Sequence, residues 1–410
     1  MIDKGVTTFM VLATSLVMLM TPGLAFFYGG LGNKQNILNI MMQSFVSLGL
    51  TTVLWFGFGY SLCFSGSFAD GTDLFGIIGN LDKAFLHGIT PKTIMPGKAF
   101  PEYVFFAYQM MFAIITPALI TGAFINRVTF KAYVFFLIFW QIFVYYPFVH
   151  MIWGGGLLQH WGVLDFAGGI VVHATAGFAA LVATIYVGKR KGNDHQPNNI
   201  PLVAIGTTLL WFGWYGFNAG SELDVNDITV AAFINTDVSA SFAAITWLLI
   251  EWNTGKKKPT FIGLMTGAVA GLATVTPAAG YITVGSAALI GTMSGFVCYQ
   301  AVEFKNRMKW DDALDVWGVH GVGGVFGTIL LGLLATSAIN PGTPDGLLYG
   351  GGFVLLFKEL VALLAAIIWA SSFTWGMLHA IDKYVRVKVT DAVQKSGLDL
   401  HIHGETARVI

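Results

Sequence analysis

Eleven apolar segments, each long enough to cross a lipid bilayer, dominate this sequence of 410 residues. A membrane helix needs about 20 mostly apolar residues. The segments run roughly over 6–31, 37–64, 103–125, 132–149, 165–187, 200–219, 228–251, 260–279, 284–304, 316–335 and 350–381. The sequence therefore predicts an all-α polytopic membrane protein with eleven transmembrane helices, here called spans 1 to 11.

Composition separates this chain from soluble proteins. Charged residues make up 11% of it and hydrophobic residues 55%, whereas a soluble chain carries about 25% charge. The 22 Lys and Arg balance the 22 Asp and Glu, which excludes a basic nucleic-acid-binding protein as a first interpretation. The two cysteines lie in apolar runs and offer no disulfide framework. Because no nucleotide-binding or catalytic motif is present, we expect no enzyme activity, no cofactor and no ATP-driven transport.

Basic residues follow the odd-numbered spans. Of the 22 Lys and Arg, 17 lie after those spans. They are Lys34, Arg127, Lys131, Lys189, Arg190, Lys191, Lys256, Lys257, Lys258, Lys305, Arg307, Lys309, Lys383, Arg386, Lys388, Lys395 and Arg408. Because positively charged connections stay in the cytoplasm, we expect a multi-pass protein of the cell membrane with its N-terminus outside and its C-terminus inside.

An odd number of spans suggests two halves of five plus one further helix, the inverted-repeat plan of many transporters. Weak self-similarity supports this, since Asp165…His173 at span 5 echoes Asp315…His320 at span 10 with a different spacing. The sequence predicts one transmembrane domain and one cytoplasmic tail. The domain covers 1–382, with pseudo-repeats at about 1–188 and 200–335 and the extra helix at about 350–381, and the tail covers 383–410.

Only two of the nine histidines, His173 and His320, lie deep in the predicted spans, and small residues flank both. Ionisable residues inside a membrane commonly mark a transport pathway or a proton relay. The alternative is a structural pair that bonds to neighbouring carbonyls. A metal site is disfavoured because no carboxylate or thiolate accompanies the two imidazoles, and zinc takes three or four ligands.

Several aromatic residues lie near the predicted outer ends of spans, beside glycine-rich breaks. Phe112, Trp153, Trp214 and Phe217 belong to this group. In a chain with 34 Phe and 12 Trp, a single ring more commonly faces lipid or packs in the core. Near Ser221, however, such ring faces could hold a small cation, with the hydroxyl as an oxygen acceptor.

The segment Asp165–His173, with the sequence DFAGGIVVH, resembles the signature of the Amt/Mep/Rh ammonium transporters in its Amt form. The resemblance extends over nearly the whole chain. Its other motifs are AFFYGGL at 25–31, HMIWGGG at 150–156, GFNAGS at 216–221, VTPAAGY at 275–281 and DVWGVHG at 315–321. The resemblance implies the ammonium-transporter fold, a homotrimer with one pore per subunit, and, for bacterial and archaeal members, docking of a PII-type nitrogen-regulatory protein at the cytoplasmic face.

The resemblance also implies roles for the outer residues. Phe112, Trp153 and Ser221 would form the ammonium-recruitment site, with Thr276 near its rim as a further substrate-binding residue. Phe112 and Phe217 would form a stacked gate.

The deeper residues take different implied roles. His173 and His320 would be twin histidines that share a proton in a hydrophobic pore. Asp165 would be a buried structural acid that organises the outer site without touching the substrate. Asp237 departs from expectation, because a carboxylate inside span 7 is unusual. We expect it either to pair with a neighbouring hydroxyl or amide or to be protonated and therefore neutral. A structural carboxyl near the subunit interface is favoured over a role in cation attraction.

Together these features predict an ammonium transporter or channel for nitrogen uptake. It would recruit NH4⁺ at an aromatic site, deprotonate it and conduct ammonia through a dry pore, with or without the proton. A permanent charge such as K⁺ pays a heavy desolvation penalty in such a pore. Two alternatives remain: an ammonium sensor that acts through a separate signalling partner, and a gas channel, which the Amt-type signature disfavours.

Overall fold

The computed structural model describes residues 2–191, 196–254 and 257–407. Lys256 and Arg408, which contribute to the charge argument above, lie outside the described residues. Eleven long helical segments within the described part coincide with the eleven predicted spans. They are α1 (Lys4–Leu31), α2 (Ile37–Phe64), α3 (Glu102–Phe124), α4 (Phe130–Trp161), α5 (Gly169–Val187), α6 (Ile200–Glu222), α7 (Asp227–Asn253), α8 (Phe261–Val275), α9 (Val284–Arg307), α10 (Trp317–Leu334) and α11 (Val354–Asp382).

Nine of these segments are long and apolar enough to cross a membrane by length and composition. Of the other two, α8 has 15 residues, and α9 carries Glu303, Lys305 and Arg307 in its last turns. The described residues contain no strand, only isolated bridges. The prediction of an all-α polytopic membrane protein is therefore confirmed.

Small residues bring corresponding spans of the two halves into backbone contact. A Cβ atom added to Gly206 of α6 would lie 2.2 Å from the backbone nitrogen of Phe27 in α1. A Cβ added to Gly177 of α5 would lie 2.1 Å from the Cα of Gly321 in α10. Close approach of this kind is typical of packed membrane helices. It brings span 1 against span 6 and span 5 against span 10.

Both deep histidines lie in π-helical turns, at Gly169–Ala174 in α5 and at Trp317–Gly321 in α10. Two further π turns within the spans occur at Trp55–Gly59 in α2 and Gln141–Tyr145 in α4, and the tail contains another at Asp399–His403. An extra residue in a turn rotates the side chains that follow it, and such turns are frequent at functional sites. The hydrophobic pattern did not predict them.

A buried carboxylate precedes each histidine, but one of the two is not the residue that the sequence indicated. Asp165 accepts hydrogen bonds from four consecutive backbone N–H groups, at 2.6–3.0 Å, at the start of α5. The sequence paired it with Asp315, and this pairing is wrong. Its counterpart is Asp312, which is buried, accepts from the backbone nitrogen of Trp317 at 2.7 Å, and lies eight residues before its histidine, as Asp165 does. Asp315 is instead ion-paired with Lys305.

The tail packs against connections that follow odd-numbered spans. The backbone nitrogen of Val389 donates to the carbonyl of Arg127 at 2.9 Å, after α3. After α1, the Asp399 carboxylate accepts from the backbone nitrogens of Leu38 and Asn39 at 3.0 and 2.8 Å and so caps α2. The tail also contains a short helix, α12 (Asp391–Ser396). These connections and the tail therefore share one side of the molecule.

Candidate functional site

A polar cavity of about 370 Å³ opens at the end of the molecule opposite the tail. Its walls combine aromatic, amide and charged side chains. The lining includes Lys98, Phe105, Gln109, Phe112, Trp153, Gln159, Asp165, Phe166, Ser221, Glu222, Tyr281 and Asn340. Of the residues that the sequence assigned to a recruitment site, Phe112, Trp153 and Ser221 therefore share one cavity.

Trp153 is held at the broken end of α4. Its indole nitrogen donates to the backbone carbonyl of Asp165 at 2.7 Å. The carboxylate of Asp165 accepts hydrogen bonds from backbone N–H groups at the start of α5, and these bonds fix the position of the residue. Its backbone carbonyl then orients the indole of Trp153. The ring of Phe112 stands edge-on to Trp153, with centroids 5.9 Å apart at 87°.

Ser221 presents an oxygen rather than a proton to the cavity. Its hydroxyl donates to the carbonyl of Phe217 at 2.8 Å. Tyr108 lies behind it, with its hydroxyl 3.3 Å from Ser221 Oγ and 2.9 Å from the carbonyl of Gly216, to which it donates. Because the serine proton is engaged, its remaining lone pairs are available to a cation. Tyr108 carried no signal in the sequence beyond its aromatic character.

Two stacked rings close the floor of the cavity. The ring centroids of Phe112 and Phe217 are 4.2 Å apart with an interplanar angle of 26°, and both side chains are buried. Phe112 lines the cavity above, and Phe217 lines the space below. The pair separates the two compartments.

Below the rings lies a narrow apolar lumen of about 10 Å³, about the volume that one water molecule needs. His173 and His320 line it with their Nδ1 atoms 3.2 Å apart. The two nitrogens face each other at hydrogen-bonding distance, an arrangement that one donor and one acceptor nitrogen would satisfy. The Nε2 of His173 is buried without a hydrogen-bond partner among the described residues.

Trp214 lies one level deeper than the sequence indicated. Its ring stacks on that of His173, with centroids 5.6 Å apart at 20°, and it lines the lumen. Its indole nitrogen donates to the hydroxyl of Thr276 at 2.9 Å. Thr276 is buried and does not line the outer cavity, so its placement at the rim is corrected: it lies behind Trp214 and fixes that ring.

A third compartment of about 180 Å³ continues from the lumen on the side of the tail. Phe27, Val269 and His320 line both spaces. Asp315, whose carboxylate is paired with Lys305, contributes to its wall. The three compartments thus follow one another along a path through α1, α3, α5, α6, α8 and α10.

Asp237 lies away from this path, half-buried in α7. Its Oδ1 accepts hydrogen bonds from the Tyr215 hydroxyl at 2.6 Å and the Trp211 indole at 3.2 Å, both from α6. It therefore has the hydroxyl neighbour that was expected.

Within the described ranges, no three His, Cys, Asp or Glu side chains come together as a metal site would require.

A chain of apolar helices around a narrow, compartmented path belongs to the class of polytopic membrane transporters. Residues 8–408 match the Ammonium Transporter Family, and the chain belongs to this family. It is 41% identical over 408 residues to "Ammonium transporter Amt1" of Archaeoglobus fulgidus, with 99% of each chain covered. It is also 41% identical to the "Ammonium transporter" of Bacillus subtilis, covering 99% of this chain and 98% of the relative.

Solved structures agree with this membership. Mep2 of Saccharomyces cerevisiae superposes with a TM-score of 0.87 at 31% identity, covering 95% of this chain and 88% of that one. A structure described as "Sensor Amt Protein" superposes with a TM-score of 0.87 at 29% identity, covering 97% and 98%.

Proposed function

We propose that this protein transports ammonium by recruiting NH4⁺ in the outer cavity, removing its proton and conducting ammonia through the lumen. The observation that carries the proposal is the stacked Phe112–Phe217 pair, which separates a polar cavity of about 370 Å³ from an apolar lumen of about 10 Å³. A hydrated cation fits the first space and not the second.

In the outer cavity, the cation meets the ring faces of Phe112 and Trp153 and the hydroxyl oxygen of Ser221. A cation–π contact contributes about 0.5–2 kcal/mol. NH4⁺ and K⁺ gain similarly from this contact. Recruitment therefore sets affinity, and the lumen sets selectivity.

Selectivity follows from the loss of a proton. An intact cation in the lumen would exchange its hydration for apolar walls, at a large cost in free energy. Ammonium avoids this cost by releasing H⁺, whereas K⁺ has no proton to release. Ammonia then meets the Nε2 of His173, which has no hydrogen-bond partner among the described residues and offers a polar contact inside the apolar lumen.

The twin histidines supply a relay whose donor and acceptor ends exchange when a proton passes through it. With one proton between the two Nδ1 atoms, one Nε2 is a donor and the other an acceptor. The pair as a whole is neutral, so it offers no anionic site to a desolvated K⁺. A proton that enters at one Nε2 can leave at the other by exchange through the shared bond.

Flux and current measurements on a lipid bilayer with ammonium, methylammonium and potassium test the proposal, because ammonia that crosses without its proton gives flux but no current. We expect uptake of ammonium and methylammonium and exclusion of potassium. Phe112→Ala, Trp153→Leu and Ser221→Ala should each raise the half-saturation concentration between a few-fold and about thirty-fold, while Phe212→Ala, an exposed aromatic on the outside of α6, should not. Unchanged concentration dependence in all three variants would contradict the recruitment site.

The setting of this pathway is part of the proposal. We place the outer cavity outside the cell and the tail in the cytoplasm, on the basis of the charge distribution. The family resemblance suggests a homotrimer and a PII-type partner at the tail. A label in the 65–102 loop should be accessible in intact cells, while a tag after Ile410 should be shielded.

A sensor role is the second candidate, because one structural neighbour is described as "Sensor Amt Protein". A sensor would bind ammonium in the outer cavity and pass little of it through the lumen. The same bilayer measurement separates the two, since a sensor would saturate a binding assay without a matching flux.

A further inference from the structure

We infer that Lys98 and Glu222, a pair of opposite charges in the wall of the outer cavity, balance each other's effect on a captured cation, so that the loss of either one alone shifts the affinity of the cavity. Both residues line the same cavity as Trp153 and Ser221. The inference rests on the proposed function and adds to it two residues that the sequence did not single out.

The pair is anchored in place. Lys98 Nζ donates to the backbone carbonyl of Glu222 at 3.1 Å. The Glu222 carboxylate accepts from the side-chain amide of Asn226 at 2.8 Å. Both residues are half-buried, and these hydrogen bonds hold both charges in the wall of the cavity. Glu222 directly follows Ser221 in the 3-10 turn Gly220–Glu222, which places it beside the hydroxyl that faces the cation.

Three of the described residues that line the cavity carry charge: Lys98, Asp165 and Glu222. The Asp165 carboxylate receives four backbone N–H groups at the start of α5, and the partial positive charge of that helix end offsets its own. The Glu222 carboxylate instead accepts from a side-chain amide, that of Asn226. It is therefore the carboxylate that acts on a cation in the cavity, and Lys98 is the charge that opposes it.

Lys98 by itself makes the cavity less favourable for a monocation, because a fixed ammonium group repels a second one. Glu222 removes that penalty. With both present, their fields largely cancel at the cation, so the aromatic and hydroxyl contacts determine recruitment. Removal of either residue leaves one uncompensated charge within a few ångströms of the cavity, where Coulomb interactions are only partly screened.

A charge effect and a contact effect differ in what they discriminate. The electrostatic interaction with a fixed side-chain charge is similar for ammonium and methylammonium, because both carry one positive charge. Contacts with the rings and the hydroxyl depend on the size of the cation. Lys98 and Glu222 should therefore shift the half-saturation concentrations of the two substrates by the same factor, and the shift should shrink as salt is added.

The test is a double-mutant cycle on the full-length protein in bilayers at low ionic strength. Glu222→Gln should raise the half-saturation concentration about three- to ten-fold, and Lys98→Gln should lower it by a similar factor. The double variant should return close to the parent. Asp227→Asn, which removes an exposed carboxylate outside the cavity, is the matched control and should change little. Glu222→Asp and Lys98→Arg keep the charges and should restore parent affinity.

Two results would overturn the inference. If both single variants raise the half-saturation concentration, the pair acts by holding the backbone and not by charge. If both stay within two-fold of the parent while Trp153→Leu shifts it, the pair has no role in recruitment, although the proposed function stands. A failure of the proposed function itself is distinguishable, because the parent protein would then carry no ammonium at all.

Discussion

The start of α5 and the start of α10 carry the same two side chains, a buried aspartate and a histidine eight residues later. In both helices the histidine lies in a π-helical turn. The two histidines meet in the lumen with their Nδ1 atoms 3.2 Å apart. At the centre of the pore, the two halves of the chain therefore contribute equivalent groups.

Away from the centre the two starts differ. Asp165 is fully engaged by backbone N–H groups, and its carbonyl orients Trp153 in the outer cavity. Asp312 lies in a segment fixed by ion pairs. Next to it, Asp311 accepts three hydrogen bonds from the Arg190 side chain, at 2.7–3.1 Å. The histidine pair is therefore symmetric, whereas its surroundings differ: a hydrogen-bonded wall of the outer cavity lies on one side, and a network of ion pairs lies on the tail side.

Replacing both histidines should have the largest effect. His173→Ala with His320→Ala removes the relay and the polar contacts of the lumen, and the emptied space admits water. We expect loss of ammonium transport or loss of its selectivity over K⁺, with assembly retained. Flux measurements on bilayers check this, and His379→Ala, an exposed histidine in α11, is the control. A double variant that moves ammonium at the parent rate and rejects K⁺ would refute the mechanism.

The two aspartates should differ in their contribution to stability. Asp165→Ala leaves four buried N–H groups without partners, and each costs roughly 1–3 kcal/mol. Asp312→Ala removes the acceptor of the Trp317 N–H and should destabilise the protein less. Thermal midpoints of the purified protein in detergent measure both. Equal decreases in the thermal midpoint would mean that the two carboxylates have the same structural role in the two halves of the chain.

The charge network on the tail side should make stability depend on pH through Asp312. Burial, with the nearby Asp315 carboxylate, raises the pKa of Asp312 to about 6, although Lys305 opposes the change. In the unfolded chain the value is about 3.9. Between these values the unfolded state loses its proton first, so folding becomes less favourable as the pH rises from about 4 to 6, by at most about 3 kcal/mol.

Asp312→Asn removes this dependence, so the variant should gain thermal stability relative to the parent as the pH rises from 4 to 7. Asp311 gives a control of opposite sign. Its pKa is lowered to about 2 by Arg190 and Arg127 against the effect of burial, so its stabilising effect is present above about pH 4 and disappears as the pH falls towards 2. Asp311→Asn should therefore be destabilised at neutral pH. A pH-independent difference between Asp312→Asn and the parent would contradict the assignment.

The sequence predicted the spans and the histidine pair because apolar length and buried ionisable residues are visible in the letters of the chain. It did not predict which way side chains point after a π turn. Nor did it predict the depth of Trp214, which lies in a regular stretch of α6 and reaches His173 and not the outer cavity, with Thr276 behind it. The pairing of Asp165 with Asp315 failed for a related reason. The cap depends on the path of the 308–316 segment, where Asp315 takes a left-handed conformation with φ of 59° and turns to Lys305.

The smallest effect should come from the tail, which contacts the connections after odd-numbered spans and the adjoining helix ends, such as Asn39 in α2. Truncation after Lys388 removes the bond from Val389 to Arg127 and the Asp399 cap on α2, but keeps Val387, whose carbonyl accepts from Thr129 at 2.9 Å. We expect a folded, inserted protein with the parent half-saturation concentration, since the outer cavity is untouched. The maximal flux, or its response to a PII-type protein, should change by less than the histidine variants change it. Parent behaviour in both measurements would show that the tail is passive, whereas a shifted half-saturation concentration would show that the two sides of the pore are coupled.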